Sequence, residues 1–141
     1  LGQVLDELPP EPQPGAVEAI AALEAAGVRV GFTTGFTRAL PHRILTELGW
    51  GDRLLVPSDE VERGRPAPDM VHEAMRRAGV ADVSRVGVCG DTPADLRAGH
   101  AAGCALVVGV CNGTHSRRQL EPHPHSHLLD DLHGLAPIVG P

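Results

Sequence analysis

The sequence predicts an α/β protein built on a parallel sheet, and two patterns support that prediction. Short apolar runs typical of buried strands alternate with helical patterns of about ten to thirteen residues. Glycine ends most of the helical patterns, as at Gly27, Gly49, Gly79 and Gly103. Apolar residues make up 42% of the 141 residues, enough for the core of one domain.

The first half contains two strands and three helices. A helix opens at Pro14-Gly15, with Val17, Ile20, Ala21 and Leu23 predicted on one apolar face, and Gly27 ends it. The remaining elements are an alternating apolar strand over 28–32, a turn at Thr33-Thr34-Gly35, a helix over 37–48, a strand over 54–56, a polar loop over 57–65 and a helix over 66–78 that carries Met70 and Val71.

The second half repeats the same alternation. The predicted elements are a strand over 85–90, a turn at Asp91-Thr92-Pro93, a helix from Pro93 to about 102, an apolar strand over 105–110, a loop with one short helix near 116–120, a last strand over 127–129 and a last helix over 131–138. Pro93 is well placed at a first helical position, where no amide donor is needed.

Composition excludes several classes of function. All 12 basic residues other than histidine are Arg, so the chain offers no Lys for a Walker A loop or for a Schiff base. A net charge of −6 and only three aromatic residues argue against a nucleic-acid partner. The longest apolar stretch, 103–111, is too short to cross a bilayer, and no signal-peptide pattern is present. Three cysteines without a C-x-x-C spacing predict buried or half-buried reduced thiols in a cytoplasmic protein.

Polar side chains that could bind a ligand or take part in a reaction follow three of the predicted elements. Thr33, Thr34 and Gly35 follow the first strand, where hydroxyls and backbone amides can hold an anion. Arg65 precedes a helix, and its guanidinium is suited to a phosphoryl group. In an open parallel sheet, such groups meet beyond the carboxyl ends of the strands.

Two carboxylates follow the strand over 85–90. Asp91 comes directly after it and Asp95 one helical turn later, a spacing that can hold a hard cation such as Mg²⁺. Each of these features alone has an ordinary structural explanation, as a helix cap, a turn or a surface ion pair. Their order along one chain favours a phosphoryl-handling site.

That order resembles the haloacid dehalogenase superfamily of Mg²⁺-dependent phosphohydrolases. Phe32-Thr33-Thr34-Gly35 is similar to its second motif, Gly64-Arg65-Pro66-Ala67-Pro68-Asp69 to its third and Gly90-Asp91-Thr92-Pro93-Ala94-Asp95 to its fourth. Arg at the third motif, where most members have Lys, is similar to the phosphonoacetaldehyde hydrolase branch. The resemblance extends over about 14–135 and implies a Rossmann-like core.

The resemblance implies roles for individual residues. Thr33, Arg65 and Asp91 would be catalytic; Thr33, Thr34, Gly35 and Arg65 would bind phosphate; Asp91 and Asp95 would hold Mg²⁺, with Asp95 either a direct ligand or a partner of the ligands. The substrate would be a small phosphate monoester or a phosphonate.

One departure from the family pattern changes the expectation for this chain. The family's nucleophile lies in an Asp-x-Asp motif at the end of the central strand, and none of the 141 residues form that motif. We therefore expect this chain to be the C-terminal part of a longer enzyme. Residues 1–13 would be a linker from a missing cap, and residues 14–141 would be a core without its central strand. Such a chain would be inactive alone and prone to self-association through the unfilled sheet.

The sequence leaves open one alternative function and the role of one histidine cluster. The alternative function is a non-enzymatic remnant that binds a phosphorylated ligand or a protein partner. A signalling receiver domain is excluded because it needs a Lys. The alternating His123, His125 and His127 could face one metal ion, but the neighbouring prolines favour a surface loop.

Overall fold

The computed structural model describes residues 15–111 and 115–139. The helices are α1 (Ala16–Ala25), α2 (Ala39–Glu47), α3 (Asp69–Ala78), α4 (Pro93–Ala102), α5 (Arg117–Leu120) and α6 (Leu135–Val139), and the strands are β1 (Gly31–Thr34), β2 (Leu54–Pro57), β3 (Gly87–Gly90), β4 (Leu106–Val110) and β5 (His127–Leu129). Three 3₁₀ turns span Ser58–Glu60, Val83–Arg85 and Leu132–Gly134. The predicted linker over 1–13 and residues 112–114 lie outside the described part of the chain. Within that part, every helix is too short or too polar to cross a bilayer.

All strand pairing is parallel, which confirms the predicted α/β class. The described strands form two sheets, one of β1 and β2 and one in the order β3-β4-β5. Phe32 pairs with Leu55 in the first sheet, and Gly90 pairs with Gly109 in the second. Among the described strands, β1 and β3 do not pair with each other. This break falls where the resemblance predicts the family's central strand.

Helix α1 packs against both sheets. Its Ile20 lies in a cluster with Phe32 and Leu55 of the first sheet. Its Leu23 lies in a second cluster with Val108 of the other sheet. One apolar helix face therefore covers the division between the sheets and removes it from water on that side.

The opposite face is covered by α3 and α4, which contact each other. Helix α3 lies against β2 and β1, and α4 lies against β3 and β4. Leu96 of α4 is fully buried in a cluster with Val107 and Leu120. The two sheets are therefore held between helices on both faces.

Two sequence predictions are corrected by the structure. Thr33 and Thr34, predicted in a turn, belong to β1 and pair with Val56 and Pro57. Val17 and Ala21, predicted on the apolar face of α1, are both exposed, and the buried face is formed instead by Ala16, Ala19, Ile20 and Leu23. Helical spacing admits both faces when alanine is abundant, and contact with the sheets selects one of them.

Arginines close the outer edge of β2. The Leu55 carbonyl oxygen accepts hydrogen bonds from Arg38 at 3.0 Å and from Arg77 at 3.2 Å. Glu60 holds Arg38 at 2.7 Å and Arg77 at 3.1 Å, and Glu73 binds Arg77 at 2.6 Å. These side chains occupy a backbone acceptor that another strand would otherwise pair with.

The carboxylate of Glu73 makes the stability of this edge dependent on pH. Hydrogen bonds from Arg76 and Arg77 lower the pKa of Glu73 from 4.5 to about 2. A carboxyl with a lowered folded-state pKa adds stability above its unfolded-state pKa, and this stability is lost as the pH falls through the folded-state value. We expect Glu73→Gln to be less stable than the wild type at neutral pH. This difference in the free energy of unfolding should disappear as the pH falls from 4.5 to about 2.

Urea unfolding followed by circular dichroism across this pH range measures the gap. Glu62→Gln, which changes an exposed carboxylate, serves as the matched control. A gap between the wild type and Glu73→Gln that stays constant with pH would contradict the expectation.

Candidate functional site

The site residues lie where the strands end. Strand β1 ends at Thr34, β2 at Pro57 and β3 at Gly90. Asp91 follows β3 directly, and Arg65 lies in the segment that connects the 3₁₀ turn after β2 to α3. The carboxyl ends of parallel strands share one edge of each sheet, so polar residues there are brought together.

A buried ion pair joins the two sheets at this edge. Arg65 Nη1 donates to Asp95 Oδ1 at 2.5 Å, and the two side chains are only 7% and 6% exposed. A charged group removed from water to this degree is retained only with an opposite charge close by. The contact links the segment after β2 with the first turn of α4, which follows β3.

Asp95 also caps the helix that carries it. Its Oδ2 accepts from the Thr92 amide at 3.2 Å and from the Thr92 hydroxyl at 2.9 Å, and the same hydroxyl accepts from the Asp95 amide at 3.3 Å. This reciprocal arrangement is a capping box. Oδ1 of Asp95 accepts one of these bonds and Oδ2 accepts two, so the carboxylate is already oriented by Arg65 and Thr92.

Asp91 fits the chemistry of a magnesium ligand better. Its carboxylate is 3% exposed and lies at the end of β3, on the residue after the strand. Mg²⁺ is commonly held by one or two carboxylates together with water and substrate phosphates. No cluster of three or more His, Cys, Asp or Glu side chains suited to a metal occurs within the described residues. Among these residues, the donor set fits a cation shared with a phosphate better than an all-protein cage.

The two threonines differ in their surroundings. Thr34 is fully buried, and its hydroxyl accepts from the Phe36 amide at 3.2 Å. Thr33 is half-buried and, as the preceding residue of the strand, lies on the opposite face of the sheet. Gly35 follows, and its carbonyl oxygen accepts from the Ser58 hydroxyl at 2.8 Å. The catalytic role expected of Thr33 stays a prediction.

Sequence reasoning missed Ser58 as a neighbour of this edge. It begins the 3₁₀ turn directly after β2, a strand-end position of the kind that singled out Thr33 and Asp91. A polar residue directly after a strand was therefore a usable signal. Phe36, 43% exposed, and Leu40, 40% exposed, are apolar residues beside the same edge that were also not singled out.

The histidine cluster lies in and directly before β5, whereas Cys89 lies on β3, two residues before Asp91. His125 Nδ1 lies 2.8 Å from the His123 carbonyl oxygen, and His127 Nδ1 lies 3.0 Å from the Ser126 hydroxyl. Cys89, Cys104 and Cys111 are half-buried, as predicted. Burial raises the pKa of all three thiols, which favours their protonated and unreactive form.

The buried pair predicts a large loss of stability when its anion is removed. Asp95→Ala removes a buried charge partner of Arg65 and the cap of α4, so we expect the free energy of unfolding to fall by about 3–5 kcal/mol. Thr92→Ala removes only a cap and is expected to cost about 1 kcal/mol. Urea denaturation measures both.

An exposed ion pair supplies the control. Asp130 is 92% exposed beside Arg117, so Asp130→Ala is expected to cost less than about 1 kcal/mol. A loss in Asp95→Ala no larger than this control would show that the buried pair contributes little to stability.

Known proteins are similar to this chain in both sequence and fold. A family model described as a haloacid dehalogenase-like hydrolase matches residues 1–103. A phosphonoacetaldehyde hydrolase of Bacillus cereus strain B4264 is 35% identical over 106 residues, which are 73% of this chain and 40% of the relative. A phosphonoacetaldehyde hydrolase of Bacteroides fragilis is 32% identical over 120 residues, 82% of this chain and 45% of the relative. The chain thus spans less than half the length of these curated relatives.

Solved structures show the same architecture. A hydrolase from Pseudomonas syringae superposes with a TM-score of 0.79 at 23% identity, covering 89% of this chain and 59% of that one. A phosphonoacetaldehyde hydrolase-like protein from Oleispira antarctica superposes with a TM-score of 0.79 at 22% identity, covering 89% of this chain and 55% of that one. The family match, the relatives and the parallel α/β fold agree that this chain belongs to the haloacid dehalogenase-like hydrolases, in their phosphonatase-like branch.

Proposed function

We propose that this chain supplies the phosphate- and metal-binding part of a phosphohydrolase acting on a small phosphate monoester or a phosphonate. The observation that carries the proposal is the buried Arg65–Asp95 pair, together with the buried Asp91 one helical turn before Asp95 at the end of β3. A fixed cation and a carboxylate at one strand edge can neutralise and orient a dianionic phosphoryl group.

Arg65 is the phosphate-binding cation in this proposal. Its guanidinium is planar, carries several N–H donors and stays charged at any physiological pH. The contact with Asp95 uses Nη1 and holds the guanidinium in one orientation. A cation whose position is fixed before the substrate arrives loses little entropy on binding it.

The end of β1 supplies neutral hydrogen-bond donors. The hydroxyl groups of Thr33 and Thr34 and the backbone of Gly35 lie at the end of the strand nearest the predicted phosphate site. The Ser58 hydrogen bond to Gly35 fixes this turn against the end of β2. We assign these groups to the phosphoryl oxygens, with Thr33 the direct contact.

Asp91 is the proposed ligand of Mg²⁺, and Asp95 orients its partners. When bound, Mg²⁺ would neutralise charge on the phosphoryl oxygens as it does in hydrolases of this kind. Asp95 keeps its bonds to Arg65 and Thr92 in this assignment and touches the metal at most through water.

Turnover requires a nucleophile that these 141 residues do not contain. The family's aspartyl-phosphate chemistry needs an Asp-x-Asp motif, which is absent from the sequence. We therefore propose that the chain by itself binds phosphate without hydrolysing its esters. Cytoplasmic location, indicated by cysteine usage, remains a prediction.

Phosphate-ester hydrolysis is the proposed reaction of the complete site. Cleavage of a carbon–phosphorus bond through a Schiff base needs a Lys that the resemblance places in the cap, outside these 141 residues, so the choice of ester hydrolysis rests on phosphonatase-like relatives that lack this Lys. The matched relatives are phosphonoacetaldehyde hydrolases, so phosphonate cleavage is the second candidate. The absence of Asp-x-Asp also keeps a purely binding role, toward a phosphorylated ligand or a protein partner, as the alternative to catalysis.

Binding of inorganic phosphate by the 141-residue chain tests the assignment of the site. With Mg²⁺ present, we expect Arg65→Ala to weaken phosphate binding by about ten- to a hundredfold, because it removes charge-assisted hydrogen bonds. Asp91→Asn should abolish the enhancement of phosphate binding by Mg²⁺ and change binding in its absence much less. Isothermal titration calorimetry measures both effects.

Asp130→Asn, at an exposed carboxylate remote in sequence from the motifs, is the matched control and should bind phosphate as the wild type does. Equal phosphate affinity in the wild type and Arg65→Ala would overturn the assignment.

An aryl phosphate and a phosphonate panel test the reaction itself. The 141-residue chain should release no phosphate above a blank, whereas the protein expressed from the gene with its neighbouring coding sequence should turn over, and lose turnover in Asp91→Asn. Inactivity of that longer protein on both substrate classes would leave the binding role in place of catalysis.

A further inference from the structure

Gly90 lies against the carboxylate that holds Arg65. It is the buried last residue of β3, directly before Asp91. A Cβ atom placed on Gly90 would overlap the Cβ, Cγ and Oδ2 atoms of Asp95. Because one of these is Cβ, the overlap cannot be relieved by side-chain rotation alone, and the first turn of α4 would have to move.

The requirement for glycine at this position is one of space. The glycines with positive φ among the described residues are Gly15, Gly27, Gly49, Gly79 and Gly103. Gly90 is not one of them, so an L-residue could adopt its backbone conformation. The close approach of the Asp95 side chain is therefore the constraint at Gly90.

Helix α4 is held close to the sheet at a second glycine. A Cβ atom on Gly99 would lie 3.1 Å from Val88 Cβ and 3.3 Å from Val107 Cγ2. The helix thus rests on β3 and β4 near its C-terminal end as well as at Gly90. If the first turn moved, α4 would tilt against its tight contact with the sheet at Gly99, because no gap there could absorb the movement.

We propose that Gly90 is a positioning residue for the phosphate-binding cation. Its missing side chain lets the Asp95 carboxylate lie over the end of β3, where Oδ2 caps α4 and Oδ1 fixes Arg65. A methyl group at Gly90 would move Asp95 away from Arg65 and remove this bond from the contacts that orient the guanidinium. The consequence for phosphate rests on the function proposed above; the placement of Arg65 does not.

The placement of Arg65 can be measured without any ligand. In the wild-type chain, the Arg65 guanidinium is buried and hydrogen-bonded, so its ¹⁵N–¹H side-chain resonances should exchange slowly and appear in NMR spectra near neutral pH. Gly90→Ala should abolish these resonances. Gly87→Ala is the matched control on the same strand, because its Cβ would meet only Leu106, at 3.2 Å from the Leu106 Cβ, and it should keep them.

Inorganic phosphate with Mg²⁺ then reports the consequence. Gly90→Ala should bind phosphate about tenfold more weakly than the wild type, and Gly87→Ala within about twofold of it. Thermal melts of both variants separate this effect from a loss of stability, since a purely structural role would lower the melting temperature and leave the phosphate affinity of the folded protein unchanged.

The outcomes distinguish the two proposals. Arg65 resonances and phosphate affinity that survive in Gly90→Ala would overturn the positioning role. A wild type that shows the Arg65 resonances but binds no phosphate would overturn the proposed function and leave the placement of Arg65 intact. If Gly90→Ala does not fold, Asp95→Ala replaces it: it removes the carboxylate through which Gly90 is proposed to act, and retention of slow Arg65 resonances in that variant would overturn the inference.

Discussion

The ion pair between Arg65 and Asp95 is the contact on which the site depends. Each charge is almost fully withdrawn from water, so each is stabilised by the opposite charge close to it. Arg65 belongs to the segment after β2 and Asp95 to the helix after β3, which lie in different sheets. The same bond that compensates two buried charges therefore aligns the carboxyl ends of the two sheets.

Asp95 serves three neighbours at once. It closes the capping box with Thr92, it holds Arg65, and it fits over the end of β3 only because Gly90 has no side chain. Helix start, strand end and cation position are consequently coupled. Asp91, next to Gly90, takes its place from the same strand end, which puts the proposed metal ligand beside the proposed phosphate-binding cation.

The sequence predicted some elements more closely than others, for physical reasons. Helix α4 begins at Pro93 and ends at Ala102 as predicted, because its capping residue, its proline and Gly103 are all local signals. Strand β1 begins three residues later than predicted. Val28 and Val30 are half-buried against the core but do not belong to the strand. Their apolar pattern therefore indicates burial and not hydrogen bonding to a neighbouring strand. Pairing with β2 decides where the strand begins.

By itself, the sequence determined the α/β class and the family, since each follows from local pattern or from a motif. Only the tertiary structure decided that Asp95 binds Arg65, that Thr34 rather than Thr33 is fully buried, and that Gly90 makes room for Asp95. The reason is that these properties depend on which atoms approach one another in the folded chain, as Arg65 and Asp95 do across 30 residues, and spacing along a sequence carries no record of that approach.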